Sequence, residues 1–141
     1  FTFISNARDG RRRISLFIEG SKGNFFMISE GQIVLFKFPQ TDQEEGKLRP
    51  SLVLRKLPGK FNDWLICMVS SKIDQQIPEL DELVSPEDSD FIHSGLKVAS
   101  VIRISRLAVV DGNILLGKLG QIDTKRLHKI KENLSNWIIS A

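Results

Sequence analysis

Short apolar runs of strand length recur along the chain, and a helical period replaces them only near its end. The runs are rich in β-branched and aromatic residues and alternate with polar segments that contain glycine or proline, a pattern typical of β-strands. They occupy residues 33–38, 51–54, 64–69, 98–104 and 107–110. After them, Asp111-Gly112-Asn113 predicts a tight hairpin with positive φ angles that leads into a last short strand at 114–116.

The C-terminal segment has the spacing of an amphipathic helix. Its apolar residues follow the pattern i, i+3, i+7, i+10 and i+11 and are Leu127, Ile130, Leu134, Trp137 and Ile138. Asp123 or Thr124 can cap the first turn, and we expect Trp137 to be buried with the rest of the stripe. One such helix must pack its apolar stripe against the strands. The sequence therefore predicts a mainly β fold, an antiparallel sheet or small barrel, with a C-terminal helix packed on it.

The first 26 residues differ from the rest of the chain. They contain the charge run Arg11-Arg12-Arg13 and a loop-forming stretch at 20–24, and they precede Met27, a candidate for the natural start. We interpret 1–26 as a leader or tag-like segment, disordered or non-native, in preference to a functional basic arm, and 27–141 as the domain. The segment also carries the whole net charge of +3, so global charge does not identify a partner for the domain.

Cys67 is the single cysteine and lies within an apolar run, so we expect a buried free thiol in a reducing compartment. No apolar run approaches the ~20 residues that span a bilayer, and the first residues lack the order of a signal peptide. We therefore expect a soluble, cytoplasmic protein without a membrane partner.

Acidic residues concentrate between 74 and 90, where there are seven and no basic residue, whereas 97–141 holds eight basic residues against three acidic ones. The carboxylates lack the glycine and terminal glutamate of an EF-hand loop, so we interpret the segment as a solvated acidic loop and expect no metal. This distribution polarises the domain, and RNA would have to avoid the acidic side. His93 and His128 are expected to be solvated rather than catalytic.

Five segments, taken in order, resemble a known family. They are GQIVLFKFP at 31–39, KLRPSLVL at 47–54, MVSSK at 68–72, GLKVASVIR at 95–103 and LGKLG at 116–120. Together they resemble the PemK/MazF-like toxins of type II toxin–antitoxin systems, an endoribonuclease family, over residues 27–137. The resemblance implies an SH3-like small barrel, shared with CcdB-like toxins, that forms a homodimer. It also implies binding to RNA or DNA, a small acidic antitoxin that covers the RNA groove, and no cofactor.

The resemblance further implies three catalytic residues. Arg49 matches a catalytic arginine, and its planar paired donors suit phosphate oxygens; a surface ion pair with Glu44 or Glu45 is the alternative. Ser70 matches the threonine whose hydroxyl assists in MazF-like enzymes, and Arg103 matches an arginine that PemK-like enzymes use as general acid or phosphate contact. The alternatives are a strand-ending serine and an outward polar residue on an alternating strand.

Substrate contacts are predicted around these three positions, at Gln43, Lys47, Ser71, Lys72 and Ser105. Two of them depart from the PemK-like pattern, in which the position of Ser105 can hold an aspartate that serves as the base and the position of Gln43 a histidine. Serine and glutamine do not accept a proton near neutral pH, so no two-residue acid–base pair is available there.

The resemblance implies the toxin component of a toxin–antitoxin pair, a metal-independent hydrolase that cleaves single-stranded mRNA at selected sequences. The 2′-hydroxyl would attack the adjacent phosphorus and leave a 2′,3′-cyclic phosphate, with Arg49 stabilising the anionic phosphorane. Two alternatives stay open. One is a catalytically weak or inactive binding or regulatory module on the same fold, and the other is a CcdB-like inhibitor of a topoisomerase, for which Trp137 would supply a C-terminal aromatic contact.

Overall fold

The structure, a computed structural model, describes residues 2–4, 27–36 and 48–140, with side chains described from residue 27 onward. Within these ranges the strands are β1 (Thr2–Ile4), β2 (Gln32–Phe36), β3 (Arg49–Lys56), β4 (Asp63–Ser70), β5 (Glu82–Val84), β6 (Ser100–Asp111) and β7 (Gly117–Gln121). The helices are α1 (Phe91–Ser94) and α2 (Thr124–Ile139). Two 3₁₀ turns lie at Ile73–Gln75 and Gly112–Ile114.

The strands form one curled sheet in the order β1-β6-β4-β3-β2-β7, and β5 pairs with the first part of β6. All of these pairs are antiparallel except β1 with β6. The β2–β7, β3–β4 and β4–β6 ladders each contain a register shift, which bends a strand and increases its twist. With α2 packed on one face, the sheet is a half-barrel, which confirms the predicted mainly β fold with a C-terminal helix.

Only Thr2–Ile4 is described from the segment 1–26, and its backbone pairs with residues 108–110 of β6. Residues 5–26 lie outside the described part of the chain. The interpretation of 1–26 as a leader or tag-like segment, and the domain boundary at residue 27, therefore stay predictions.

Side chains of the central strands alternate between two cores, one on each face of the sheet. Leu52 and Ile102 point into the core beneath α2, whereas Val53 and Ile66 belong to the core of the opposite face. Because β3, β4 and β6 are covered on both faces, their sequences read as nearly continuous apolar runs. Cys67 is fully buried, as expected, and its burial raises the pKa of the thiol.

The connection after β6 differs from the predicted hairpin. Residues 98–104 and 107–110 contribute to one long strand, and β7 pairs with β2 instead of returning along β6. Neither Gly112 nor Asn113 has a positive φ. Instead, the Asp111 carboxylate accepts a hydrogen bond from the Asn113 amide at 2.9 Å and caps a 3₁₀ turn. Such a local side-chain bond competes with the hairpin turn, so the predicted hairpin and the strand at 114–116 are wrong.

The C-terminal helix is confirmed, but its apolar stripe is only partly buried. Asp123 caps it by accepting the Arg126 amide at 2.8 Å. Ile130 is fully buried and Leu134 packs against the same core. Trp137, however, is 59% exposed, so its assignment to the core is wrong. Leu134 is the last stripe residue in contact with the core, and α2 continues past the packed layer by about its final turn.

Arg126, in the first turn of α2, binds the acidic segment at 74–90. Its guanidinium donates to Asp90 at 2.9 and 3.0 Å, to Asp88 at 2.8 Å and to Glu82 at 3.1 Å. It also donates to the Leu83 carbonyl at 2.9 Å. Asp90 is 5% exposed, so the interpretation of 74–90 as a solvated loop is wrong at this point. The carboxylate is buried because a cation and backbone amides compensate its charge.

Replacing Arg126 with alanine is expected to lower the free energy of unfolding by about 3 kcal/mol, because it leaves the buried Asp90 carboxylate without its cation. Urea denaturation at pH 7 measures the change. Lys125→Ala removes a cation from an exposed neighbouring position and should cost less than about 0.5 kcal/mol. Equal losses in the two variants would contradict the role assigned to Arg126.

The same contacts predict a pH dependence. Hydrogen bonds from the Ser85 amide and from Arg126 lower the pKa of Asp88. Burial by itself would raise the pKa of Asp90. Hydrogen bonds from Arg126 and from the Asp123 amide outweigh the effect of burial, so the pKa of Asp90 is also lowered. Both folded-state values lie below the unfolded value of about 3.9. The stabilisation is therefore present above about pH 4 and is lost as pH falls through the folded-state values. The stability difference between wild type and Arg126→Ala should shrink in denaturation experiments below pH 4; a constant difference from pH 7 to pH 2 would contradict this account.

Candidate active site

The register of the three central strands brings the predicted catalytic residues to one face of the sheet. Ser51 on β3 pairs with Met68 on β4, and Met68 pairs with Arg103 on β6. Continuing the β3–β4 register by two residues brings Arg49 level with Ser70. Since paired residues and residues two apart share a face, these five side chains lie on the face opposite α2. We call these five residues the polar row: Arg49, Ser51, Met68, Ser70 and Arg103.

Arg103 is held by residues from outside its own strand. Its Nη1 donates to Gln75 Oε1 at 3.0 Å, and its Nε lies 4.0 Å from Asp81 Oδ2. The side chain is 12% exposed. Gln75 belongs to the 3₁₀ turn that follows β4, and Asp81 directly precedes β5. The guanidinium therefore has a fixed direction at the edge of the polar row.

Asp81 is a residue near the site that the sequence interpretation missed. It was assigned to a solvated loop, but it is 3% exposed. Its carboxylate accepts the Ile77 amide at 2.9 Å and the Ser105 amide at 3.1 Å. The Ser105 hydroxyl also donates to it, at 3.2 Å. The predicted substrate contact at Ser105 thus has its hydroxyl directed at a buried carboxylate; its role toward substrate stays a prediction.

The end of β4 forms a turn that is closed by a serine hydroxyl. Ser70 is half-buried, and its Oγ accepts a hydrogen bond from the Lys72 amide at 3.1 Å. Ser71 and Lys72 are exposed beside it. The bond fixes the Ser70 hydroxyl at the end of the polar row, and it leaves two predicted substrate contacts at the surface that borders this row.

A second polar group on this face was also missed from the sequence. Ser51 is fully buried, and its hydroxyl has no hydrogen-bond partner among the described residues. Buried hydroxyls are nearly always paired. The apolar run around Ser51 suggested only a strand, and the strand register is what shows that this hydroxyl belongs to the polar row.

Several predictions concern residues that the structure does not describe. Gln43 and Lys47, two predicted substrate contacts, lie outside the described residues, as do Glu44 and Glu45. The alternative in which Arg49 forms a surface ion pair with one of those glutamates therefore stays open. Arg49 itself is half-buried at the start of β3.

The remaining candidate groups lie elsewhere. His128 is 75% exposed and 3.5 Å from Glu132 on the same helix, and His93 is exposed on α1. In residues 27–36 and 48–140, no group of three or more His, Cys, Asp or Glu side chains is placed to hold a metal ion. No helix in the described part of the chain is long and apolar enough to cross a membrane.

Comparison with known proteins now adds to this geometry. The model of the family described as PemK-like, MazF-like toxins of type II toxin–antitoxin systems matches residues 29–138. The chain belongs to this family. The resemblance found in the sequence is therefore confirmed, and every described residue of the polar row lies within the matched part of this PemK/MazF-like chain.

A solved structure supports the fold of this PemK/MazF-like chain. An endoribonuclease from a mycobacterial species, in complex with its cognate antitoxin, superposes with a TM-score of 0.55 at 12% sequence identity. The match covers 79% of the present chain and 95% of the other. At this identity the likeness shows the shared fold. A search of curated protein sequences found no significant match.

Proposed function

We propose that this PemK/MazF-like toxin is a metal-independent endoribonuclease that cleaves single-stranded mRNA at selected sequences and leaves a 2′,3′-cyclic phosphate. The observation that carries the proposal is the placement of two arginines, Arg49 and Arg103, with Ser70 on one face of the central strands. Guanidinium and hydroxyl groups can donate hydrogen bonds to the anionic phosphorane that forms when a phosphodiester is cleaved without a metal. The family supports the same class of activity.

The polar row suits the charge that develops during the reaction. The 2′-oxygen attacks phosphorus in line, the bond to the 5′-oxygen breaks, and negative charge builds on the non-bridging phosphate oxygens. Guanidinium groups of Arg49 and Arg103 supply paired, charged donors to these oxygens, and the Ser70 hydroxyl can add a neutral one. Each donor of this kind is worth about 10²–10³ in rate.

Proton transfer in this scheme does not use Asp81, although this carboxylate lies next to Arg103. Asp81 is the carboxylate beside Arg103, but its side chain is fully buried and it already accepts three hydrogen bonds. We propose that the 2′-hydroxyl proton passes to water and that the 5′-oxygen takes a proton from water. Catalysis then depends on orientation and on electrostatic stabilisation of the phosphorane.

The charge of the polar row also suggests which partners bind this protein. We propose that a small acidic antitoxin covers the polar row, because Arg49 and Arg103 attract carboxylates as they attract phosphates. The similar mycobacterial endoribonuclease is in complex with its cognate antitoxin. We also propose a homodimer that acts in the cytoplasm, where its mRNA substrate is present.

One observation favours a second candidate function. Trp137, expected to be buried, is 59% exposed, and the following Ile138 and Ile139 are 61% and 77% exposed. An exposed C-terminal aromatic residue is what a CcdB-like inhibitor of a topoisomerase would need. Such an inhibitor, or an inactive binding module, does not cleave RNA, so the cleavage experiment below separates both from the proposed enzyme.

Replacing Arg49 with alanine should lower the rate of single-stranded RNA cleavage in EDTA by about 10²–10³-fold, because one charged donor to the phosphorane is lost. Product ends should carry a 2′,3′-cyclic phosphate in wild type. Arg55→Ala is the matched control: it removes an exposed arginine from the same strand, beyond the polar row, and should leave the rate unchanged.

Thermal melts of both variants check that the fold is intact. Cleavage by Arg49→Ala at the wild-type rate would overturn the assignment of Arg49. Absence of cleavage by the wild-type protein on a mixed-sequence RNA pool, or its dependence on a divalent metal, would overturn the proposed function.

A further inference from the structure

A buried carboxylate from a remote segment adjoins the second arginine of the polar row. Asp81 has a fully buried side chain, and one of its oxygens is 4.0 Å from Arg103 Nε. The ladder places it there, because Glu82 pairs with Ile102 and Asp81, which directly precedes β5, is level with Arg103 on β6. The segment 74–90 thus contributes a charged group to a site formed by other strands.

The carboxylate is held from three directions. The Ile77 amide donates to Oδ2 at 2.9 Å, the Ser105 amide donates to Oδ1 at 3.1 Å, and the Ser105 hydroxyl donates to Oδ2 at 3.2 Å. These bonds occupy both oxygens and fix the plane of the group. A rigid anion at this distance limits the orientations of the Arg103 guanidinium.

A second contact completes the fixed position of Arg103. Its Nη1 donates to Gln75 Oε1 at 3.0 Å. The Nε atom is itself buried and has no hydrogen-bond partner within the described residues. Asp81 therefore acts on it through charge at 4.0 Å rather than through a short hydrogen bond, and the guanidinium keeps donors for a phosphate.

We propose that Asp81 is a positioning residue for the RNA-cleavage reaction, which aims Arg103 at the scissile phosphate while Ser105 holds the carboxylate in place. This inference rests on the proposed function of the polar row. Asp81 touches neither substrate nor a reacting atom. It acts by keeping Arg103 in one orientation, so it should affect turnover more than the binding of RNA.

The position of Ser105 provides a test by moving the carboxylate. Its hydroxyl is 3.2 Å from Asp81 Oδ2, and its side chain starts two residues along β6 from Arg103. Asp81→Asn removes the charge, and Ser105→Asp alone puts two carboxylates in contact, which repel each other. In the double variant Asp81→Asn/Ser105→Asp a single carboxylate returns to the same space.

Cleavage of one RNA oligonucleotide by the full chain is measured for wild type, both single variants, the double variant and Asp74→Asn. The last variant removes an exposed carboxylate from the same segment and is the control. We expect kcat to fall about 10- to 100-fold in each single variant with KM within about twofold, and to recover in the double variant. Asp74→Asn should match wild type, and thermal melts give the folded fraction of every variant.

The orientation of Arg103 is measured directly as well, from its ¹⁵N-resolved Nε–Hε signal and the exchange rate of that proton. The signal should be slowly exchanging in wild type, fast in Asp81→Asn and slow again in the double variant. A purely structural role predicts instead that activity follows the folded fraction and that the double variant is no better than the single ones.

The inference is overturned if Asp81→Asn leaves the Arg103 signal unchanged, if its kcat equals that of Asp74→Asn, or if the double variant recovers nothing. The two proposals fail differently. A wild-type protein that does not cleave RNA removes the proposed function, and the Arg103 signal then still decides whether Asp81 positions this arginine.

Discussion

The antiparallel pairing of β3, β4 and β6 is the constraint on which the rest of the structure depends. One register fixes both the two cores and the polar row, because Ser51, Met68 and Arg103 are paired across it. A slip of one residue would send every side chain of a strand to the opposite face. It would turn the arginines into the core beneath α2 and move apolar residues such as Leu52 out of that core. Folding stability and the arrangement of the site therefore rest on the same backbone bonds.

The acidic segment between β4 and β6 is a second structural element of this arrangement. At its C-terminal end, Asp90 and Asp88 bind Arg126 at the start of α2. Nearer its middle, Ser105 and the Ile77 amide hold Asp81 next to Arg103. Buried carboxylates are costly unless cations or amides compensate them. The segment thus ties the helix on one face of the sheet to the arginine on the other, and its Asp81 and Asp90 carboxylates are engaged in the fold instead of facing solvent.

The sequence predicted strands and the helix, which show as a periodic pattern of apolar residues. It did not predict contacts between residues that are far apart in the chain. The runs at 51–54 and 64–69, the helix and its Asp123 cap are visible as periodicity and capping chemistry. The predicted hairpin was wrong because the Asp111 side chain caps a 3₁₀ turn. The predicted burial of Trp137 was wrong because α2 extends beyond the core. The family resemblance identified Arg49, Ser70 and Arg103 as candidates. Asp81 could not be found in this way, since it is 24 residues from Ser105 and only the β5–β6 pairing brings them together.

We propose that the register of these strands builds a face that binds a scissile phosphate. The most direct test is the structure of the protein with a single-stranded RNA that carries a 2′-deoxy nucleotide at the mapped cleavage site and so cannot react. We expect the phosphate at that site to lie within hydrogen-bond distance of the guanidinium groups of both Arg49 and Arg103. RNA bound on the face covered by α2, or a scissile phosphate that touches neither arginine, would contradict it.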